Sequence, residues 1–348
     1  MSAEPAPKSV APASHPWADL NDEALLKLRF CDLKLQLKDT PLHERIRQVL
    51  SELKARKLRF GPYFWFSTEW FTPDGVTGIA LPFYLGHPRL TELERKIMLQ
   101  AEGDTPESCL KIIRHEVGHA IDHAFRLHRR KDYRKVFGPP TIRYPEYYQP
   151  KPHSRRFVLH IQNWYAQSHP AEDFAETFAV WLTPGSQWEQ RYQTWPAIKK
   201  LRFVDRLMTE LADKKTLVRT RKKDDPIEKL TMSLAEHYEE KRERYADHPD
   251  FYDRDLRKLF SAAPEFAANE KAAKFLRRLR PQIRRIAARW TGAYQYTIDQ
   301  VLKEMIQRCR ELNLRLKTSE AQSEVEATVL LTVETMNYIR DGRHRLLL

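Results

Sequence analysis

His115-Glu116-Val117-Gly118-His119, inside HEVGHAIDH (115–123), sets two histidines four residues apart around a glutamate. On a helix such positions share one face, so both imidazoles can reach a single ion. Glu116 then lies beside them, able to take a proton from a water on that ion. Zinc bound in this way brings the pKa of its water down to about 7 and makes a nucleophile at neutral pH. The surroundings predict a helix. Thr105 and Pro106 supply a cap and a first-turn proline, and Leu110, Ile113, Val117, Ile121 and Ala124 form an apolar stripe running to about His128. The same motif also arises by chance on solvated surface helices, so a third ligand has to decide.

The pattern HExxHxxGxxH would need glycine at position 122 and histidine at 125, where the chain has Asp122 and Phe125. His123 reads as a surface or supporting histidine rather than a ligand. SHPAEDFAETFAVWL (168–182) offers more: His169-Pro170 opens a helix, Thr183-Pro184-Gly185 closes it, and Glu172 and Glu176 share a face. Two such carboxylates form either a solvated acidic face or the neighbours of a cation. In the second case Glu172, in the first turn, ligates zinc with help from the helix N-terminus. Glu176 accepts the N–H of a ligating histidine and fixes its tautomer. Two histidines and one glutamate leave a coordination position for water, which marks a catalytic rather than a structural site.

HEVGHAIDH followed by EDFAETF resembles the layout of gluzincins such as anthrax lethal factor and the Pro-Pro endopeptidases. The resemblance implies a zinc-dependent hydrolase with one zinc per chain on His115, His119 and Glu172, Glu116 as general base, and Glu176 supporting a ligand. It also implies a catalytic tyrosine seven residues before the ligand glutamate, which here is Tyr165, otherwise an ordinary half-buried tyrosine beside Trp164. Three blocks, at 69–90, 164–182 and 289–302, are similar to a bacterial family of zinc-binding metallopeptidases, a likeness running from about residue 25 to the end and weakest at 129–160. The implied reaction is attack of zinc-bound water on an amide carbonyl of an extended peptide or protein substrate, with Glu116 passing the proton to the leaving amine. A pseudoenzyme keeping its metal for structure, and hydrolysis of a non-peptide amide, are the other readings of the same residues.

The expected fold class is α+β: a zincin-like domain with a small mixed sheet, followed by an α-helical domain. Asp39-Thr40-Pro41 starts an amphipathic helix through Leu42, Ile46, Val49, Leu50 and Leu53 to about Arg56. YFWFSTEWF (63–71) and VTGIALPFYL (76–85), joined by Pro73-Asp74-Gly75, predict a hairpin. Pro82 puts the second strand at a sheet edge, and Gly78, Ile79, Ala80 and Leu81 become the candidate strand for pairing with substrate. Thr91 and Glu94 suggest a capping box. A Pro- and Tyr-rich stretch at 138–154 reads as an irregular lid or binding loop. The expected divisions are a disordered tail at 1–24, a catalytic domain at 25–212, a polar linker at 213–226 and helices over 227–348.

Hydrophobic residues at 41% of 348 exclude a disordered chain and allow a sizeable core. Cys31, Cys109 and Cys309 form no CxxC pair, which excludes a thiolate zinc site and suits the cytoplasm. No apolar run is long enough to span a bilayer, and the N-terminus lacks a signal-peptide core. The net charge of +13 leaves one rival class. Lys271, Lys274, Arg277, Arg278, Arg280, Arg284, Arg285 and Arg289 lie with no acid among them, so a basic helix at 271–289 could bind nucleic acid or a partner, with the metal structural. No nucleic-acid motif accompanies it, and a charge run of this kind is usually a solvated face.

Overall fold

The computed structural model describes residues 15–139, 141–145, 148, 150–152, 154–245 and 252–340. Its elements run α1 (Asp22–Leu26), α2 (Pro41–Ala55), β1 (Tyr63–Ser67), β2 (Gly78–Pro82), α3 (Pro88–Met98), α4 (Pro106–Phe125), α5 (Lys131–Phe137), α6 (Pro170–Leu182), α7 (Trp188–Arg191) and α8 (Ile198–Leu211). They continue with α9 (Leu234–Tyr245), α10 (Asp253–Leu259), β3 (Phe260–Ser261), α11 (Ala272–Thr291), α12 (Gln295–Glu311), β4 (Arg315–Leu316) and α13 (Glu320–Arg340). Helices dominate and the two sheets are two-stranded, an α+β composition. No described helix is long and apolar enough to cross a membrane.

The helix starts follow local chemistry. Thr105 caps α4 by accepting the Ser108 N–H at 3.1 Å, with Pro106 in the first turn. α3 departs from the Thr91–Glu94 expectation: it begins a turn earlier, where His87 Nδ1 accepts the Arg89 N–H and Pro88 fixes the first turn. Arg114 of α4 forks onto Glu52 of α2 at 2.7 and 2.8 Å, a buried pair that locks α4 against α2.

β1 and β2 do not form a hairpin. They pair in parallel, Tyr63 opposite Gly78 through Ser67 opposite Pro82. The turn at Pro73-Asp74-Gly75 does form, with Gly75 at φ 70° and the Val76 N–H on Pro73 O. It folds residue 71 back onto β2, so that Phe71 bridges Ala80 in antiparallel sense and the Ala80 N–H donates to Phe71 O at 2.9 Å. β2 thus has β1 on one side and Phe71 on the other. Gly78, Ile79, Ala80 and Leu81 are buried, and the expectation that they offer an open edge is overturned at Ala80.

The described residues form two large apolar clusters and a small third one of Trp65, Val76 and Ala80. The first holds Trp17 through Tyr238, with Tyr296 of α12. The second holds Tyr252 through Leu331. Trp17 is buried and its indole N–H donates to Leu33 O, so the described part of the expected tail, from residue 15, is packed, whereas residues 1–14 lie outside the described residues. The expected linker is a strap. Tyr63, Trp65 and Ser67, which share a face of β1, donate to the carbonyls of Lys222, Asp224 (2.9 Å) and Asp225 (2.8 Å), and the Leu217 and Val218 N–H groups both reach Ala124 O.

α9 belongs with the first core. Its Lys241 is 3% exposed and lies 2.7 Å from Glu69 and 2.9 Å from Glu94. Removing the cation would leave buried carboxylates uncompensated, so Lys241→Ala should cost ~3–5 kcal/mol of stability in urea unfolding. α11, the basic helix, packs on α12 and α13, and its charges are partly spent within the fold. Arg278 pairs with Glu270 and Glu320, and Arg280 and Arg284 pair with Asp299.

Candidate metal centre

α4 and α6 cross where Gly118 meets Ala175. A Cβ on Gly118 would stand 2.8 Å from Ala175 Cα and 3.1 Å from its carbonyl oxygen, so only glycine permits this approach. The crossing sets His115 and His119 against Glu172 and Glu176. Gly118→Ala is expected to push the helices apart, costing ~1–3 kcal/mol as overpacking does and weakening metal retention; a thermal melt with and without zinc measures both.

Three donor atoms converge. His115 Nε2 and His119 Nε2 lie 3.1 Å apart, and Glu172 Oε2 is 3.0 Å from each. Among the described residues these three side chains form the one group placed to hold a metal, their donor atoms within 4.8 Å of one another. The site is enclosed: His115 is fully buried and Glu172 is 4% exposed. His115 Nδ1 lies 2.9 Å from Glu176 Oε1, and the other Glu176 oxygen accepts the Ile161 N–H at 2.9 Å. A carboxylate there accepts the Nδ1–H, so the nitrogen free to give up its proton to a metal is Nε2, the tautomer a ligand needs.

Electrostatics favour a cation at the same point. Burial pushes His115 down, but the carboxylates of Glu172 and Glu176 overcome it and raise the imidazole to about 10. Burial likewise opposes a charge on Glu172, yet the two imidazoles hold its carboxyl well below the usual range. Without a metal the cluster keeps positive charge between the carboxylates; a divalent ion on the two imidazole nitrogens and the Glu172 oxygen meets the same demand. The residues fit zinc in donor type, number and tautomer.

Glu116 is 2% exposed, and the Thr72 hydroxyl donates to its Oε2 at 2.7 Å. Tyr165 is buried with its ring centroid 5.7 Å from that of His115. It follows Trp164, whose φ of 54° is left-handed, a strained conformation for a bulky residue that turns the chain just before Tyr165. His123 stands apart from the ligand group, with Nδ1 3.2 Å from Val76 O and Nε2 3.8 Å from Asp74.

Two residues escaped sequence reasoning. Thr72 follows the bridge residue Phe71, and Tyr144 lies in the 138–154 connection, where its hydroxyl donates to Glu172 Oε1 at 2.7 Å. Neither sits in a periodic segment, and no spacing signals them.

Residues 94–194 match a family described as “Putative zinc-binding metallo-peptidase”. The match agrees with the family resemblance seen in the sequence and spans His115, Glu116, His119, Tyr165, Glu172 and Glu176. It covers less of the chain than that resemblance, leaving out β1, β2 and everything after α7 except a few residues. No curated protein and no solved structure matches the chain.

Proposed function

We propose that this chain is a zinc-dependent metallopeptidase of the gluzincin type, its first core a zincin-like domain, hydrolysing an amide bond in an extended peptide or protein substrate. The observation that carries the reading is the convergence of His115, His119 and Glu172 on one point, with Glu116 alongside on the same helix. Zinc held by those donors, one per chain, supplies Lewis-acid polarisation and brings water deprotonation to about pH 7.

The protein groups have separable tasks. Thr72 engages one oxygen of Glu116, which leaves Oε1 to take a proton from the attacking water and deliver it to the leaving amine. Glu176 holds His115 in the ligating tautomer. Tyr165 is the hydroxyl that steadies the carbonyl oxygen as negative charge develops. With β2 bridged at Ala80 by Phe71, and Thr72 next to it on Glu116, an extended substrate would lie against the segment that carries Phe71 and Thr72. Cys31, Cys109 and Cys309 are free, consistent with action in the cytoplasm.

The test is a peptide library incubated with zinc-loaded protein and read by mass spectrometry for new termini. A restricted set of cleaved sequences, abolished by a chelator, is expected. A zinc-loaded protein that cuts no peptide would be a metal-binding protein without this activity.

A further inference from the structure

Glu172 has two oxygens with different surroundings. Oε2 faces His115 Nε2 and His119 Nε2, whereas Oε1 receives the Tyr144 hydroxyl at 2.7 Å. Tyr144 is itself held. Its ring stacks on His169 with centroids 3.8 Å apart and planes at 18°. His169 Nδ1 accepts the Ala171 N–H, so its proton sits on Nε2, which donates to Ile142 O at 2.8 Å. The imidazole that caps α6 therefore also fastens residues 142 and 144 across the first turn of that helix. Tyr144 is 51% exposed, so its side chain does not fill the core; its hydroxyl alone reaches the buried carboxylate.

We propose that Tyr144 is a positioning residue for Glu172: its hydroxyl occupies Oε1, so that this carboxylate turns a single oxygen toward the metal and keeps a fixed orientation. A carboxylate free at Oε1 can rotate or present both oxygens, and either change alters the position that a water must take. The hydrogen bond is charge-assisted and half-buried, which suits it to hold a side chain in one rotamer. Tyr144 has this role only where His115, His119 and Glu172 hold zinc, the reading proposed above.

Tyr144→Phe and Tyr144→Leu separate the hydroxyl from the ring. Phenylalanine keeps the stack on His169 and loses the hydrogen bond, whereas leucine loses both. Zinc affinity is measured on the full chain by competition with a chromophoric chelator, beside the melting temperature of the metal-free protein. The expected result is a ~10–100-fold loss of affinity in both variants, the range for removing an outer hydrogen bond to a ligand, with the metal-free melting temperature of Tyr144→Phe lowered less than that of Tyr144→Leu, which also loses the stack on His169. Wild-type affinity in Tyr144→Phe with loss only in Tyr144→Leu would make Tyr144 a loop clasp and overturn the proposal, as would wild-type affinity in both. Wild-type protein that binds no zinc would instead remove the metal reading itself, a failure distinct from the other two.

Discussion

Glu116→Gln is expected to lower peptide turnover by ~10²–10⁴-fold, the usual contribution of a general base, with zinc content unchanged. Glutamine keeps the shape of the side chain and can still accept the Thr72 hydroxyl through its carbonyl oxygen, so the pocket should hold its form. What it lacks is a basic oxygen to take the proton from water. The donor atoms of the candidate metal site are on other residues, which is why metal and turnover should separate. Steady-state kinetics on a cleaved peptide, with metal analysis of the same preparation, make the measurement. Turnover within a few-fold of wild type would remove Glu116 from the chemistry.

Glu172→Ala and His115→Ala are expected to weaken zinc binding by far more than the ~10–100-fold typical of an outer partner. Each removes one of the three donors that, among the described residues, are placed to hold a metal. The histidine change has a second effect, because His115 also carries the bond to Glu176, whose buried carboxylate would keep the Ile161 N–H and lose the imidazole. Loss of a buried partner of this kind costs stability as well as affinity. His115→Ala should therefore melt below wild type in the metal-free state, a difference calorimetry can read. Equal melting temperatures would mean that Glu176 gains no stability from His115.

What the sequence makes legible is what lies within one helix. His115 and His119 share a face by helical geometry, as do Glu172 and Glu176, and the Thr105-Pro106 and His169-Pro170 starts fix where those faces begin. The meeting of the two helices is not written in either periodicity. It depends on Gly118 against Ala175, a contact between residues 57 positions apart that reads in sequence as an unremarkable small pair. The β1–β2 pairing misleads for a related reason. A Pro-Asp-Gly turn specifies local reversal, and it does reverse the chain between Phe71 and Ala80, but it says nothing of where the strand before Phe71 goes. The polar linker misleads through composition alone. Its own residues supply backbone carbonyls, while the alternation of Tyr63, Trp65 and Ser67, three side chains with polar tips on one face, carries the signal that something polar crosses β1. Thr72 and Tyr144 act from irregular segments, where contacts follow from tertiary placement and not from spacing.

A zinc site with a free position, built by two helices, is open to native mass spectrometry of the purified full chain. One zinc per chain is predicted after dialysis against zinc and removal of excess, stable to buffer exchange and released by a strong chelator. A chain that carries no zinc after that treatment, while its melt shows it folded, would have no zinc site at His115, His119 and Glu172.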